Sequence, residues 1–347
     1  MEPKAQLFNK LINSAHRILI TSHISPDPDA VCSILLLGTT LKANFPDKKV
    51  EMVLEEKPEI DLAFLTDYEK VQFTNLLSFA KEFQPDLFIM VDAMNYERVS
   101  RTDGARLREL ISKELKSKLV IIDHHTDIGL EQSGLSINNQ APATVQEVHS
   151  LLFKDLGLKK PQGFAQTTLL GIISDTERFL YDNPNHRQTF AIVSELLDAG
   201  TSIEELENRL NRYTNATMQI LGNLTKNITD SGQGYTYSFV DDDVANIVLE
   251  KNADYLKAAC GLFIGHFIRN FENNHWGFIV YPEMVNGQKV YSASFRSVSG
   301  QKNVAKIAGK LGGGGHEPAA GAKFEADNID QALGKVKKAI QSSGDSS

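Results

Sequence analysis

Three short apolar runs, each leading straight into acidic or histidine residues, constrain this chain more than any other feature. Arg17–Ser22 (RILITS) ends at His23, with Asp27 and Asp29 close behind across Pro26 and Pro28. Asp86–Val91 (DLFIMV) ends at Asp92, and Leu119–Ile122 (LVII) ends at Asp123-His124-His125. Short aliphatic runs of this kind read as strands buried on both faces, as in a parallel sheet. Val50–Leu54 reads as another strand, and Ala30–Ala43 and Arg106–Leu115 have helical spacing. Strands alternating with helices predict an α/β fold with a doubly wound parallel sheet. Ligands in such sheets sit beyond the carboxyl ends of the strands, so one topological rule would gather the three clusters in one crevice.

Further along come helical stretches at Ala143–Leu156, at Phe164–Ile173 running into Ser174-Asp175-Thr176, and at Arg187–Leu197. Ser202–Leu210 and Thr217–Ile228 read as helical connectors. After Gly232 and Gly234 the pattern turns strand-rich, with Tyr235–Val240, Trp276–Tyr281 and Val290–Phe295. A helix at Val304–Leu311, a loop at Gly312–Gly315 and a closing helix at Ile329–Ile340 complete it. A length of 347 residues suits two domains. The expected division is an N-terminal α/β domain over 1–200, a helical linker over 201–231, a smaller α+β domain over 232–342 and a disordered tail over 343–347.

The two cysteines, Cys32 and Cys260, are too few and too far apart for a disulfide framework, which fits a reducing compartment. Met1–Ser22 has no apolar run of signal-peptide length and no later stretch could span a bilayer, so a cytoplasmic protein with no membrane association is expected. A net charge of -8 argues against binding duplex nucleic acid. It leaves a small phosphorylated ligand open, because bound cations reverse the local sign of a site.

If Asp27, Asp29, Asp92 and Asp175 converge with His23 and His124, their like charges repel. Some carboxylates must then be protonated, or cations must sit among them. Carboxylates mixed with imidazole suit Mn, Fe, Co or Zn, and two such ions suit an in-line displacement at phosphorus. Each piece also has an ordinary reading. Asp-Pro-Asp after a strand is often a turn and a helix cap, a lone Asp at a strand end is often solvated, and paired histidines are often incidental. It is their succession at strand ends that favours a metal site. His16, His149, His186, His266 and His275 lie outside it and read as structural or solvated.

His23-Ile24-Ser25-Pro26-Asp27-Pro28-Asp29-Ala30, then Val91-Asp92, then Asp123-His124-His125, then Gly171-Ile172-Ile173-Ser174-Asp175-Thr176 resemble the successive motifs of DHH phosphoesterases. Gly312-Gly313-Gly314-Gly315-His316 with Ala319-Ala320-Gly321, preceded by Ser294-Phe295-Arg296-Ser297, is similar to the signature of the DHH-associated domain. Within the family the resemblance is to the nano-RNase and pAp-phosphatase group. It implies one ion held by His23, Asp27 and Asp92, and another held by Asp29, Asp92, His124 and Asp175. It also implies His125 facing the substrate and Asp123 orienting a histidine. Manganese is the implied metal, with magnesium or cobalt as alternatives.

From the same resemblance Arg296, Ser297, Gly313, Gly314, Gly315 and His316 are expected to bind substrate in a cleft between the domains, with Arg178 a weaker candidate. Arginine offers phosphate two parallel hydrogen bonds, and glycines let main-chain amides approach an anion. The implied reaction is hydrolysis at phosphorus by a metal-bridged hydroxide. Its substrates would be short single-stranded RNA or DNA, linear dinucleotides or 3′-phosphoadenosine 5′-phosphate, and a homodimer is compatible with the family. The alternatives are a cyclic-dinucleotide phosphodiesterase, a manganese pyrophosphatase, an exonuclease acting on single-stranded DNA, or a nucleotide-binding regulator without chemistry. One departure stands out: Cys32 occupies a position where the family pattern leads one to expect glycine, and altered packing is the expected consequence.

Overall fold

The computed structural model describes residues 3–125, 134–180, 185–210, 213–249, 253–285, 287–298 and 300–343. The chain divides into two compact units, Met1–Asn211 and Arg212–Ser347. In the first, α1 (Pro3–Ser14) leads into β1 (Arg17–Thr21), α2 (Pro28–Asn44), β2 (Lys49–Leu54), β3 (Val71–Phe73), α3 (Leu76–Phe83) and β4 (Leu87–Val91). Then come α4 (Tyr96–Val99), α5 (Gly104–Glu109), β5 (Lys118–Ile122), β6 (Leu135–Ile137), α6 (Thr144–His149), α7 (Phe164–Asp175), α8 (His186–Asp198) and α9 (Ile203–Leu210). The six strands form one sheet in the order β3-β2-β1-β4-β5-β6, and every pairing is parallel. Separate apolar clusters line its two faces, one with α2, α6 and α7, the other with α3, α4 and α5. This is the expected doubly wound sheet. Two strands, β3 and β6, have three residues each and leave almost no sequence pattern.

The strand order reverses between β1 and β4, which lie side by side in the middle of the sheet. At such a switch point the two flanking loops diverge and leave a crevice. The loop after β1 carries His23 as its second residue and the loop after β4 begins at Asp92, so the topology alone brings the first two clusters together.

α2 is buried along nearly its whole length, which is why its sequence shows little amphipathic periodicity. Its start is well specified. Asp27 is the N-cap and accepts from the Ala30 N–H at 3.0 Å, and Pro28 fills the first helical position. α2 packs against α7 and α6.

In the second unit α10 (Asn215–Lys226) is followed by β7 (Thr229–Asp230), β8 (Thr236–Phe239), α11 (Asp242–Leu249), α12 (Ala253–Phe263), β9 (Trp276–Val285) and β10 (Gln288–Ser297). α13 (Val304–Lys310), β11 (Gly314–His316), β12 (Ala319–Phe324) and α14 (Ile329–Ser342) close it. The sheet order is β11-β12-β10-β9-β8-β7, with β8 and β9 parallel and the other pairs antiparallel. One face packs on α13 and α14, and the β9 end of the other packs on α10, α11 and α12. Within 201–231, α9 packs with α7 in the first unit and α10 packs with α12 in the second, because each has an apolar stripe to bury. One expectation needs correction. The glycine run is not wholly a loop, since Gly314 to His316 pair with β12. The tail expected to be disordered lies, from residue 344, outside the described residues. No helix among the described residues is long and apolar enough to cross a membrane.

Of the histidines outside the strand-end clusters, His149 is expected to make stability depend on pH. It is buried on α6 against the Phe153 ring. Burial pushes its pKa down to about 4, and the Glu195 carboxylate at 3.5 Å does not reverse this because Lys160 already takes the same oxygen at 2.6 Å. The unfolded chain, with an ordinary histidine near pH ~6.5, therefore takes up a proton first on acidification. Its contribution is present above that pH and is lost as pH falls toward the folded value, by up to about 3 kcal/mol. His149→Leu is expected to show a smaller drop in urea midpoint between pH 7 and pH 4.5 than the parent. An equal drop would exclude His149 as the source.

Candidate active site

β1 ends at Thr21 beside the switch point, and His23 follows after one intervening residue. The His23 Nδ1–H donates to its neighbour's carbonyl, Ile24 O, at 2.8 Å, which leaves Nε2 to face the carboxylates. Nε2 lies 3.3 Å from Asp92 Oδ2 and 3.8 Å from Asp27 Oδ2. Asp27 thus works with both oxygens, Oδ1 capping α2 and Oδ2 facing the cluster.

Asp92 is buried and sits at φ 53°, in the left-handed region that aspartate and asparagine tolerate better than most residues. Its second oxygen, Oδ1, lies 3.7 Å from His124 Nε2 and 3.5 Å from His125 Nδ1. His124 Nε2 in turn lies 3.2 Å from Asp175 Oδ2, at the end of α7. Donor atoms of His23, Asp27 and Asp92 lie within 4.8 Å of one another, as do those of Asp29, His124 and Asp175, and those of Asp92, Asp123, His124 and His125. The residues expected to hold two ions therefore come together, with Asp92 presenting one oxygen to each side.

The electrostatics fit cations. Desolvation by the crowded cluster, followed by repulsion from Asp92, raises the pKa of Asp27 even though its side chain is half exposed; burial, with repulsion from Asp92, Asp175 and Asp27, raises that of Asp29. Burial pushes Asp175 up to about 7, opposed by His124 and reinforced by Asp92 and Asp27. For His23 burial alone would lower the pKa, but the Asp92 hydrogen bond and charge overcome it and raise it to about 9. Asp92 is held well below the ordinary range despite its burial by His23, His124 and His125. Closely spaced carboxylates that resist ionising together, interleaved with imidazole nitrogens, form a donor set suited to divalent ions that take mixed N and O ligands.

Asp123 accepts from the His125 main-chain N–H at 2.9 Å and lies 2.7 Å from His125 Nδ1, which raises the pKa of that ring. One residue at this centre carries no signal in the sequence. Thr144 donates its hydroxyl to Asp92 Oδ1 at 3.0 Å. The N–H groups of Thr144 and Val145 donate to Asp29 at 2.7 and 3.0 Å. The start of α6 so stabilises a buried carboxylate that belongs to α2. A helix start after Pro142 is readable in the sequence; what it touches is not.

Cys32 packs where α2 meets α7. A Cβ on Gly171 would come within 3.1 Å of Cys32 Cβ and 2.9 Å of Asp29 Oδ1, so the glycine that permits close approach is on α7. Burial, with Asp29 adding to it, pushes the Cys32 thiol well above its ordinary pKa, which keeps it protonated and out of the chemistry.

In the second unit Arg296 lies on β10 opposite Ala319, half-buried, and donates to Phe295 O at 3.0 Å. Ser297 does not join it. Adjacent strand residues point to opposite faces, and Ser297 is buried, donating to Val298 O and accepting from the Lys302 N–H. Within the glycine run, Gly314 alone among the three expected to bind substrate has open space around its Cβ position. A Cβ on Gly313 would collide with the main chain of Gly321, and Gly315, at φ 140°, would meet Ala319 and Ala320. His316 is exposed. In the first unit, Arg178 is tied to Glu207 at 2.6 Å, so an ion pair within the protein already occupies its guanidinium.

Residues 17–172 match the DHH family, N-terminal domain, and residues 232–342 match the DHHA1 domain. The chain is 28% identical over 317 residues to the bifunctional oligoribonuclease and PAP phosphatase NrnA of Mycoplasma pneumoniae, covering 91% of this chain and 90% of that protein. It is 28% identical over 318 residues to the protein of the same name from Bacillus subtilis, covering 90% and 92%. An exopolyphosphatase-related protein from Bacteroides fragilis has the same fold, with a TM-score of 0.82 at 21% identity over 98% of this chain and 96% of that one. The two domain matches follow one another in sequence order over the two units, so the chain carries a DHH domain followed by a DHHA1 domain.

Proposed function

We propose that this protein is a cytoplasmic two-metal phosphoesterase acting on short single-stranded oligonucleotides, linear dinucleotides or 3′-phosphoadenosine 5′-phosphate. The observation that carries this reading is Asp92 at the switch point, with Oδ2 toward His23 and Oδ1 toward His124. The names of the relatives, bifunctional oligoribonuclease and PAP phosphatase, support the substrate class. His23, Asp27 and Asp92 would hold one ion, and Asp29, Asp92, His124 and Asp175 the other, manganese being expected with magnesium or cobalt as alternatives. When bound, such ions supply Lewis-acid stabilisation of the phosphoryl oxygens and lower the pKa of water.

The chain's own residues do the rest. Thr144 and Val145 fix Asp29 and Asp92 before substrate arrives. Asp123 holds His125 by Nδ1 and favours its protonated form, so Nε2 can donate to a phosphate oxygen or to the leaving group. Arg296, Gly314 and His316 on the second unit are proposed to bind the substrate's anionic or base moiety.

Product analysis with Mn²⁺ tests the substrate class, comparing 3′-phosphoadenosine 5′-phosphate, a 5′-phosphorylated RNA dinucleotide, a cyclic dinucleotide and pyrophosphate. Turnover of the first two is expected; turnover confined to either of the others would overturn the substrate assignment. Arg296→Ala is expected to raise KM about tenfold or more with kcat nearly unchanged, the loss of a charge-assisted contact to phosphate. An unchanged KM would remove Arg296 from the substrate site.

A further inference from the structure

The two groups of candidate ligands are anchored in different ways. Asp29 is gripped in the interior by the main-chain amides of Thr144 and Val145. His23 and Asp27 flank a loop, Ile24-Ser25-Pro26, that is held from the surface. Ser25 sits at φ 52°, a conformation serine adopts only where its surroundings enforce it.

Glu56 supplies the enforcement. The Ser25 N–H donates to Glu56 Oε2 at 2.8 Å, and the Ser25 hydroxyl donates to the same oxygen at 3.1 Å. Arg101 then grips Glu56 in a fork, Nε to Oε1 at 2.8 Å and Nη2 to Oε2 at 3.1 Å, and Nη2 also donates to Ser25 Oγ at 3.3 Å. The Ile24 N–H donates to Arg98 O at 2.8 Å, closing the loop from the same side. Glu56 lies just past β2 and Arg101 just past α4, so the chain segments after β2 and β4 clamp the loop after β1. The pair is largely outside the core, the Arg101 side chain 59% and the Glu56 side chain 33% exposed. Exposed ion pairs contribute little to global stability. This one is spent on one loop conformation.

We infer that Glu56 is a positioning residue: through Ser25 it sets the spacing of His23 and Asp27, and so the affinity of the ion they would hold, leaving the ion at Asp29, His124 and Asp175 unaffected. This rests on the two-metal reading above. It makes the two ions unequal by construction, one with Asp29 anchored by interior amides and one dependent on a surface clamp.

The test is a Mn²⁺ titration of metal-stripped protein, with free Mn²⁺ followed by electron paramagnetic resonance, comparing wild type with Glu56→Gln. The amide cannot receive both nitrogens of the arginine fork. One class of Mn²⁺ is expected to weaken about tenfold or more, the size of effect usual for a partner that orients a ligand, while the other class and the thermal midpoint of the metal-free protein stay put. The affected class is expected to be the one lost in Asp27→Asn and kept in Asp175→Asn. Arg101→Met, which leaves the Ser25 bonds to Glu56 intact, is expected to weaken the same class by less, and it decides the matter if Glu56→Gln folds poorly. Unchanged affinity of both classes, or an equal loss in both with a lower midpoint, would overturn the inference. Wild type that takes up no Mn²⁺ would instead remove the metal reading on which it depends.

Discussion

Replacing Asp92 by asparagine is expected to abolish measurable turnover while the protein remains folded. Loss of one preorganised electrostatic group commonly costs about 10²–10³ in rate. Asp92 serves both sides of the cluster, so a loss of at least about a thousandfold is expected. Asparagine is the informative replacement because it tolerates φ 53° and keeps one acceptor oxygen, so the backbone and the Thr144 contact can survive. Alanine at the same position adds backbone strain to the loss of charge. Steady-state turnover of a 5′-phosphorylated dinucleotide, with circular dichroism as the folding control, checks the effect. A folded Asp92→Asn protein retaining a tenth of wild-type turnover would defeat a shared-ligand role.

The second large effect is expected at Gly171. Alanine in a helix interior ordinarily gains about 1 kcal/mol over glycine, so on propensity alone Gly171→Ala would stabilise. The contact opposes this. The added Cβ would stand 2.7 Å from Val145 Cγ1, 2.9 Å from Asp29 Oδ1 and 3.1 Å from Cys32 Cβ, where something must move. Overpacking of this kind costs about 1–3 kcal/mol, and here the group displaced is a candidate metal ligand. Gly171→Ala is therefore expected to lower Tm and to weaken the ion at Asp29, His124 and Asp175 by about tenfold or more. Adding Cys32→Gly relieves only the most distant of the three contacts and is expected to restore little. A raised Tm with unaltered metal binding would show that α2 and α7 are not pressed together at this point.

What was legible in the sequence follows from how each feature is encoded. β1, β4 and β5 are aliphatic runs that end abruptly in charged residues, so both the strands and the residues at their carboxyl ends could be read. The parallel order then dictates that His23 and Asp92 meet, since β1 and β4 are neighbours at the switch point. β3 and β6 could not be read because three-residue strands borrow their conformation from the sheet they join.

Thr144 and Glu56 were invisible for another reason: each acts through a hydrogen bond to a residue far away in sequence. Ser297 follows Arg296 directly in sequence, but strand alternation sends the two to opposite faces and Ser297 is buried. Gly313 and Gly315 show a similar ambiguity, since the freedom that would suit a phosphate is used to let the chain lie against β12.

The most direct measurement is turnover of a 5′-phosphorylated dinucleotide by metal-stripped protein as Mn²⁺ is added back, with bound ions counted at each step. No turnover is expected without metal, with a rise that tracks the second ion bound and no recovery in Asp92→Asn at any Mn²⁺ concentration. Full turnover in the presence of chelator, or a rate that saturates with the first ion, would contradict the two-metal reading.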